Sequence, residues 1–151
     1  MKLNKALDHF KILANRTDNK RERKVYDKFV GILSNLQTRD LSEEQILSIE
    51  EKMEELNLSE KPIYAKKSPK KKLSLFIKYL QEKLSLVTEG YYTALGVTFG
   101  MMLGVALAPT LERQMGISIN MGLGMLLGAA IGQYLDTKAA KENRVLRMNL
   151  G

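Results

Sequence analysis

The stretch GYYTALGVTFGMMLGVALA (residues 90–108) and the stretch GISINMGLGMLLGAAIGQYL (residues 116–135) decide the predicted fold. Neither carries a charged residue, and nine of the eleven glycines of the chain lie within them. Most of these glycines recur at every fourth residue, which places them near one face of a helix. We therefore predict that each helix packs through a stripe almost free of side chains. The packing residues are Gly96, Gly100, Gly104 and Ala108 in the first stretch, and Gly116, Gly124, Gly128 and Gly132 in the second.

The length of the two stretches predicts that both span a membrane. Nineteen and twenty residues of helix rise about 1.5 Å each, or roughly 28 and 30 Å. The hydrocarbon core of a bilayer is about 30 Å thick. Tyr91, Tyr92 and Tyr134 stand at the ends distant from the short connection, where interfacial aromatic residues are common. Because only seven residues join the stretches, we expect an antiparallel transmembrane hairpin over residues 90–135.

This spacing resembles that of the glycine-zipper two-helix hairpins found in many small bacterial membrane proteins. The resemblance covers residues 91–135 and concerns architecture alone, because such hairpins occur in proteins with unrelated roles. Many of those proteins are lipoproteins with a signal peptide and a lipidated cysteine. This chain has no cysteine, and its first sixteen residues lack the apolar core of a signal peptide. A lipoprotein role is therefore not indicated.

Residues 1–58 predict a small cytoplasmic domain of three helices, because apolar residues repeat there at helical spacing. Asp18 is expected to cap the second helix, and Ser42 with Gln45 matches a capping box at the third. The third stripe has the 3-4-3 spacing of a coiled coil. The three stripes are Leu3, Leu7, Phe10 and Ala14; Val25, Phe29, Leu33 and Leu36, with Tyr26 and Ile32 beside them; and Ile46, Ile49, Met53 and Leu56.

Charge divides within this domain. Residues 1–38 hold nine basic and four acidic side chains, whereas residues 39–57 hold two basic and seven acidic ones. Either the third helix lies against the first two and neutralises them, or neighbouring copies associate head to tail through opposite faces. Surface ion pairs are individually weak, so charge alone does not decide between these alternatives.

Basic residues flank both outer ends of the predicted hairpin. Residues 59–71 form a basic linker, residues 72–89 an amphipathic juxtamembrane helix, and residues 136–151 a basic tail. The juxtamembrane helix lies on anionic lipid or, alternatively, is an ordinary helix that continues into the first spanning helix. The positive-inside rule predicts a bacterial inner-membrane protein with both termini in the cytoplasm. The residues expected at lipid headgroups are Lys66, Lys67, Lys70, Lys71, Lys72, Lys138, Lys141 and Arg144.

The sequence offers little that indicates catalysis. His9 is the one histidine, and the absence of cysteine leaves no paired metal ligands of the usual kinds. No phosphate-binding loop or nucleophile elbow occurs, and we expect no catalytic, cofactor or metal site. Nucleic-acid binding is disfavoured because residues 1–57 are neutral and the basic excess borders the apolar stretches.

Together these patterns predict an all-α protein without enzymatic activity. Its partners would be membrane lipid and further copies of itself, and the N-terminal domain is a candidate site for a protein partner. The expected role is a membrane scaffold, an anchor or a channel-like assembly. The alternative is a soluble all-helical adaptor in which the glycine-rich hairpin forms the buried core.

Overall fold

A computed structural model describes residues 1–58, 68–107 and 116–148, and it confirms the all-α prediction. Within the described residues, strands are confined to β1 and β2, which have two residues each and pair in a two-stranded sheet. The elements in chain order are α1 Leu3–Arg16, α2 Lys20–Gln37, α3 Glu43–Glu55, α4 Pro69–Leu84, β1 Val87–Thr88, α5 Tyr91–Leu107, α6 Gly116–Lys141 and β2 Val145–Leu146.

The chain divides into two compact units. The first comprises Met1–Thr88 with Leu146–Gly151, and the second comprises Glu89–Val145. The first unit therefore contains α1 to α4, and the second contains α5 and α6. The predicted linker lies outside the described residues, except for its last residues.

The core of the first unit is formed by the apolar stripes that the sequence predicts. Phe10 of α1 stacks on Phe29 of α2, with ring centroids 4.3 Å apart, and Phe29 in turn contacts Phe76 of α4. Helical spacing predicts these faces well because each stripe buries its side chains against the neighbouring helices. The side chains that are fully buried include Ile32, Leu33, Leu36, Ile49, Met53 and Leu80.

The ends of the helices confirm one predicted cap and correct another. Ser42 accepts a hydrogen bond from the backbone N–H of Gln45, and the Gln45 side chain accepts one from the N–H of Ser42. This is the predicted capping box. At α2, Asn19 and not Asp18 is the cap, since the Asn19 side chain accepts a hydrogen bond from the Arg21 N–H at 3.0 Å.

α4 belongs to the first unit, which differs from the predicted juxtamembrane helix of residues 72–89. Its apolar face of Leu73, Phe76 and Leu80 is buried in the core with α2 and α3. Amphipathic spacing shows that a helix has an apolar face, but it does not show what covers that face. The three-helix domain predicted for residues 1–58 is therefore completed by a fourth helix.

Contacts between α3 and the start of α1 agree with the intramolecular alternative for the divided charge. Glu50 accepts a hydrogen bond from the Leu3 N–H at 2.9 Å. Glu54 forms an ion pair with the N-terminal ammonium of Met1. These acidic side chains of α3 thus lie against the start of the basic segment of the same chain.

The second unit is built on backbone-to-backbone contact between α5 and α6. A Cβ atom placed on Gly100 would overlap the carbonyl oxygen of Gly124, and one on Gly128 would overlap that of Gly96. The pairing of early α5 with late α6 means that the helices run antiparallel. Only glycine permits so close an approach, and weak Cα–H···O contacts are typical of it.

The prediction that these helices span a membrane is wrong. Among the described residues, no helix combines the length and the apolar character that a membrane span requires. The described part of α5 has 17 residues, which rise about 26 Å. α6 is longer but contains Asn120, Gln133 and, in its last turns, charged residues. This finding also contradicts the predicted inner-membrane location and the predicted integral-membrane role.

Gly100 and Gly122 provide a matched test of the close contact. Gly100→Ala places a methyl group against the backbone of α6, so we expect a loss of about 2 kcal/mol or more in stability. Gly122→Ala meets nothing within 4 Å, and the higher helix propensity of alanine should stabilise the protein by up to about 1 kcal/mol. Thermal unfolding followed by circular dichroism measures both. Equal effects of the two substitutions would contradict the close packing.

The half-buried His9 leads us to expect that the stability of the first unit depends on pH. Burial lowers the pKa of His9 from its ordinary value of 6.5, and among the described residues no group pairs with its buried Nε2. Since the unfolded chain then binds the proton more readily, stability present at neutral pH is lost as the pH falls through 6.5 toward the lower folded pKa.

The corresponding experiment compares the wild type with His9→Gln. Between pH 7.5 and pH 5.5, the midpoint of thermal unfolding should fall in the wild type and fall less in the variant. Glutamine keeps a polar side chain of similar length but does not titrate. Parallel pH profiles for the two proteins would refute a role for His9.

Candidate functional site on α5 and α6

The outer surface of α5 and α6 is the most unusual surface among the described residues. Fifteen of the seventeen large hydrophobic side chains that are exposed there lie on these two helices. No described residue of α5, or of α6 before Asp136, is ionisable apart from the tyrosines. Because the glycines bring the two backbones together, the large side chains have no room between the helices and lie outside them. An apolar surface of this extent is typical of interaction sites.

A groove of about 440 Å³ runs along one side of the helix pair. Its floor consists of the glycine stripes, and its walls consist of large apolar side chains from both helices. We call this side of the pair the groove face and define it by its six wall residues. These residues are Phe99, Leu103 and Leu107 of α5, and Leu123, Leu127 and Ile131 of α6.

Asn120 is the polar side chain of this groove. It is only 9 % exposed. It lies one turn before Gly124 in the stripe of Gly124 and Gly128, opposite Gly104. Among the described residues, none accepts a hydrogen bond from its Nδ2. A buried amide donor without a partner costs about 1–3 kcal/mol. Asn120 therefore offers hydrogen-bonding capacity that the described part of the chain does not use.

At the other end of the pair, Asp136 of α6 binds the first turn of α5. Its carboxylate accepts hydrogen bonds from the Tyr92 N–H at 3.0 Å and from the Thr93 N–H at 2.9 Å. The Thr93 hydroxyl donates a third, at 2.6 Å. The first N–H groups of a helix have no partner within the helix, and its N-terminus favours negative charge. Asp136 thus supplies, from the opposite helix, the cap that α5 requires.

The structure brings together the predicted packing residues that it describes. Gly96, Gly100 and Gly104 of α5 face Gly128, Gly124 and Asn120 of α6. Gly132 lies against the backbone of Tyr92 and Thr93. Gly116 begins α6, and Ala108 lies outside the described residues. The glycines therefore join helices of one chain, which leaves the outer surface for contacts with other molecules.

The basic residues expected at lipid headgroups differ in their surroundings, as far as the structure describes them. Lys72 is buried, and its ammonium donates a hydrogen bond to the carbonyl of Asn57 at 2.5 Å. Arg144 donates one to Glu142 at 2.7 Å, and hydrogen bonds with Glu142 and Tyr92 raise the pKa of its guanidinium. Lys70, Lys71, Lys138 and Lys141 are exposed, whereas Lys66 and Lys67 lie outside the described residues. Their contact with lipid stays a prediction.

Sequence reasoning missed the roles of Asp136 and Asn120. Asp136 was assigned to the basic tail because it ends the uncharged stretch. Its position directly after the last apolar turn of α6, opposite the start of α5 in an antiparallel pair, could have indicated a cap. Asn120 interrupts a row of glycines with a group that needs a hydrogen-bond partner, and this position could have indicated its role.

A second concave surface lies in the first unit between α2 and α4. It is basic, because Arg21, Lys24, Lys28 and Lys70 outnumber Asp27 there. Exposed lysines of this kind are typical of a solvated helix face. The expectation that the first unit binds a protein partner stays a prediction.

Comparison with known proteins adds no further assignment. No protein-family model, curated protein or solved structure matches the chain. Among the described residues, no group of three histidine, aspartate or glutamate side chains is placed to hold a metal ion.

Asp136→Ala tests the cap from α6 to α5. The substitution leaves the N–H groups of Tyr92 and Thr93 without their carboxylate partner, and we expect a loss of about 1–2 kcal/mol. Lys138→Ala, an exposed change two residues further along α6, should have an effect within about 0.5 kcal/mol. Thermal unfolding measures both variants. A loss no larger in Asp136→Ala than in Lys138→Ala would show that the cap contributes nothing.

Proposed function

We propose that the protein is a helical adaptor without enzymatic activity, which assembles with further copies of itself through the outer surface of α5 and α6. The observation that carries this proposal is the concentration of exposed, uncharged, large hydrophobic side chains on these two helices. Exposed apolar patches larger than a few hundred Å² mark interaction surfaces in most proteins that have them.

The size of the surface supports a protein partner. Full burial of a large aliphatic side chain removes on the order of 100 Å² of apolar surface. Fifteen such side chains, each roughly half exposed, therefore present on the order of 800 Å² per copy. A standard protein interface buries about 800 Å² on each partner.

The chemistry of the surface supports a binding role over a catalytic one. Its described residues supply leucine, isoleucine, valine, methionine, phenylalanine and tyrosine side chains, together with the amide of Asn120. Apart from the tyrosine hydroxyls, none of these groups is a nucleophile or a general base. General acid–base catalysis relies instead on titratable side chains held within hydrogen-bond reach of the substrate.

The oligomeric state of the full chain tests the proposal. We expect the wild type to sediment as a species larger than the 17.1 kDa of one chain. Leu126→Glu combined with Leu127→Glu should dissociate it. These neighbours are 69 % and 67 % exposed and lie on different sides of α6, so the double variant probes the outer surface as a whole.

The control places the same charges elsewhere. The double variant Ile12→Glu and Leu47→Glu changes side chains of α1 and α3 that are 50 % and 65 % exposed. It should leave the mass of the sedimenting species unchanged. A wild type that remains a single chain at all concentrations would contradict the proposal, as would a double variant on α6 that assembles normally.

A further inference from the structure

We propose that the groove face of one chain packs against the groove face of a second copy, and that the Asn120 side chains of the two copies pair within the interface. This inference rests on the proposed self-assembly and specifies its geometry. The product is a four-helix bundle in which α5 and α6 of each copy contribute two helices, with the six wall residues of each copy forming a common core.

The antiparallel arrangement of α5 and α6 makes this packing possible. A two-fold axis parallel to the helices places α5 of one copy beside α6 of the other. Each helix then has two antiparallel neighbours, which is the usual topology of a four-helix bundle. A two-fold interface uses the same patch on both copies, so the patch must be complementary to itself. The groove face meets this condition because leucine and other large apolar side chains form both of its walls.

Exposure distinguishes the groove face from the opposite side of the pair. All six wall residues are exposed. On the opposite side, Met101 and Val105 are only 36 % and 46 % exposed, and Val97, Met121, Met125 and Ala129 are exposed still less. Covering the groove face would therefore remove more apolar surface from water than covering the opposite side.

The area of the groove face fits a second copy. Six wall residues, about 60 % exposed on average, together with the exposed Tyr134 at one end, present on the order of 500 Å² of apolar surface per copy. Two copies would remove on the order of 1,000 Å² from water, which is where specific interfaces begin. The groove is lined from Gly96 to Leu107 of α5 and from Asn120 to Ile131 of α6, which is about three turns of each helix, so its occupant must be similarly long and uncharged. The same face of another copy has both properties.

Asn120 supplies the second and independent observation. Its amide is buried at the floor of the groove, and within the described part of the chain its Nδ2 has no acceptor. An asparagine amide carries both a donor, Nδ2, and an acceptor, Oδ1, so two asparagines can donate to and accept from each other. A two-fold axis along the bundle brings the two Asn120 residues to the same height, where each satisfies the other. A buried asparagine pair of this kind fixes register and copy number in helical bundles.

Cross-linking of single cysteines tests the face, because the natural chain has no cysteine. Leu103→Cys and Leu127→Cys lie on the groove face, whereas Met101→Cys and Met125→Cys lie on the opposite side and serve as matched controls. With a short thiol-to-thiol cross-linker applied to the full chain, we expect a covalent dimer in high yield from the first two variants. We expect at least a fivefold lower yield from the controls.

A pair of charge substitutions tests the asparagine contact. Asn120→Asp places two like charges together in the proposed interface and should raise the dimer dissociation constant at least tenfold at pH 7. Gln133→Glu makes the same amide-to-carboxylate change on the exposed side of α6 and should change that constant less than twofold. Far-UV circular dichroism of each variant shows whether its helices are retained.

The outcomes separate this inference from the proposed function. A wild type without any oligomer overturns both. An oligomer that cross-links through Met101→Cys and Met125→Cys overturns the groove-face packing and leaves self-assembly intact. If the protein instead enters phosphatidylcholine vesicles as a single chain, and its groove-face cysteines are protected from modification there, lipid and not a second copy covers the groove face. If Asn120→Asp disrupts its own helices, the cross-linking yields alone decide.

Discussion

Between Gly100 of α5 and Gly124 of α6, no side chain separates the two backbones, and the rest of the second unit follows from that contact. In most helix pairs the facing side chains interdigitate and form the core. Here the interface is backbone against backbone, so the bulk that would fill such a core lies outside. The apolar exterior and the groove are consequences of this one constraint. The glycines therefore determine where the surface of the pair is apolar.

A smooth interface specifies register weakly, because helices without interlocking side chains can slide along each other. Two polar groups lie at opposite ends of the pair, where they can fix the register that the glycines leave weakly specified. Asp136 ties α6 to the first N–H groups of α5 through three hydrogen bonds. Asn120 takes the position opposite Gly104 where a further small residue would continue the stripe. One of these groups is satisfied within the chain, and in our proposal the other is satisfied by a second copy.

Local signals made the first unit predictable and left the second unit partly obscure. The stripe around Phe29 and the cap formed by Ser42 and Gln45 depend on neighbours in sequence, so spacing reveals them. The face of α4 around Phe76 was recognised as apolar, yet whether lipid covers it was left open because periodicity does not identify a partner. The glycine spacing predicted close packing of the hairpin on itself and on other copies, and the two stripes meet within one chain. A run of uncharged residues also predicted a membrane span that the helices do not provide.

Glycine is costly in a helix, by about 1 kcal/mol each relative to alanine, and the six that line the contact between α5 and α6 amount to several kcal/mol. Backbone contact alone recovers part of this cost, since weak Cα–H···O bonds contribute at most about 1 kcal/mol each. The larger possible contribution comes from the apolar side chains on the outside of the pair, because burial of apolar surface stabilises by about 25 cal/mol per Å². In our proposal, a helix pair of this design gains its main hydrophobic stabilisation in association. The core that α5 and α6 do not build between themselves would then be built between copies of the chain, with the groove face as its wall.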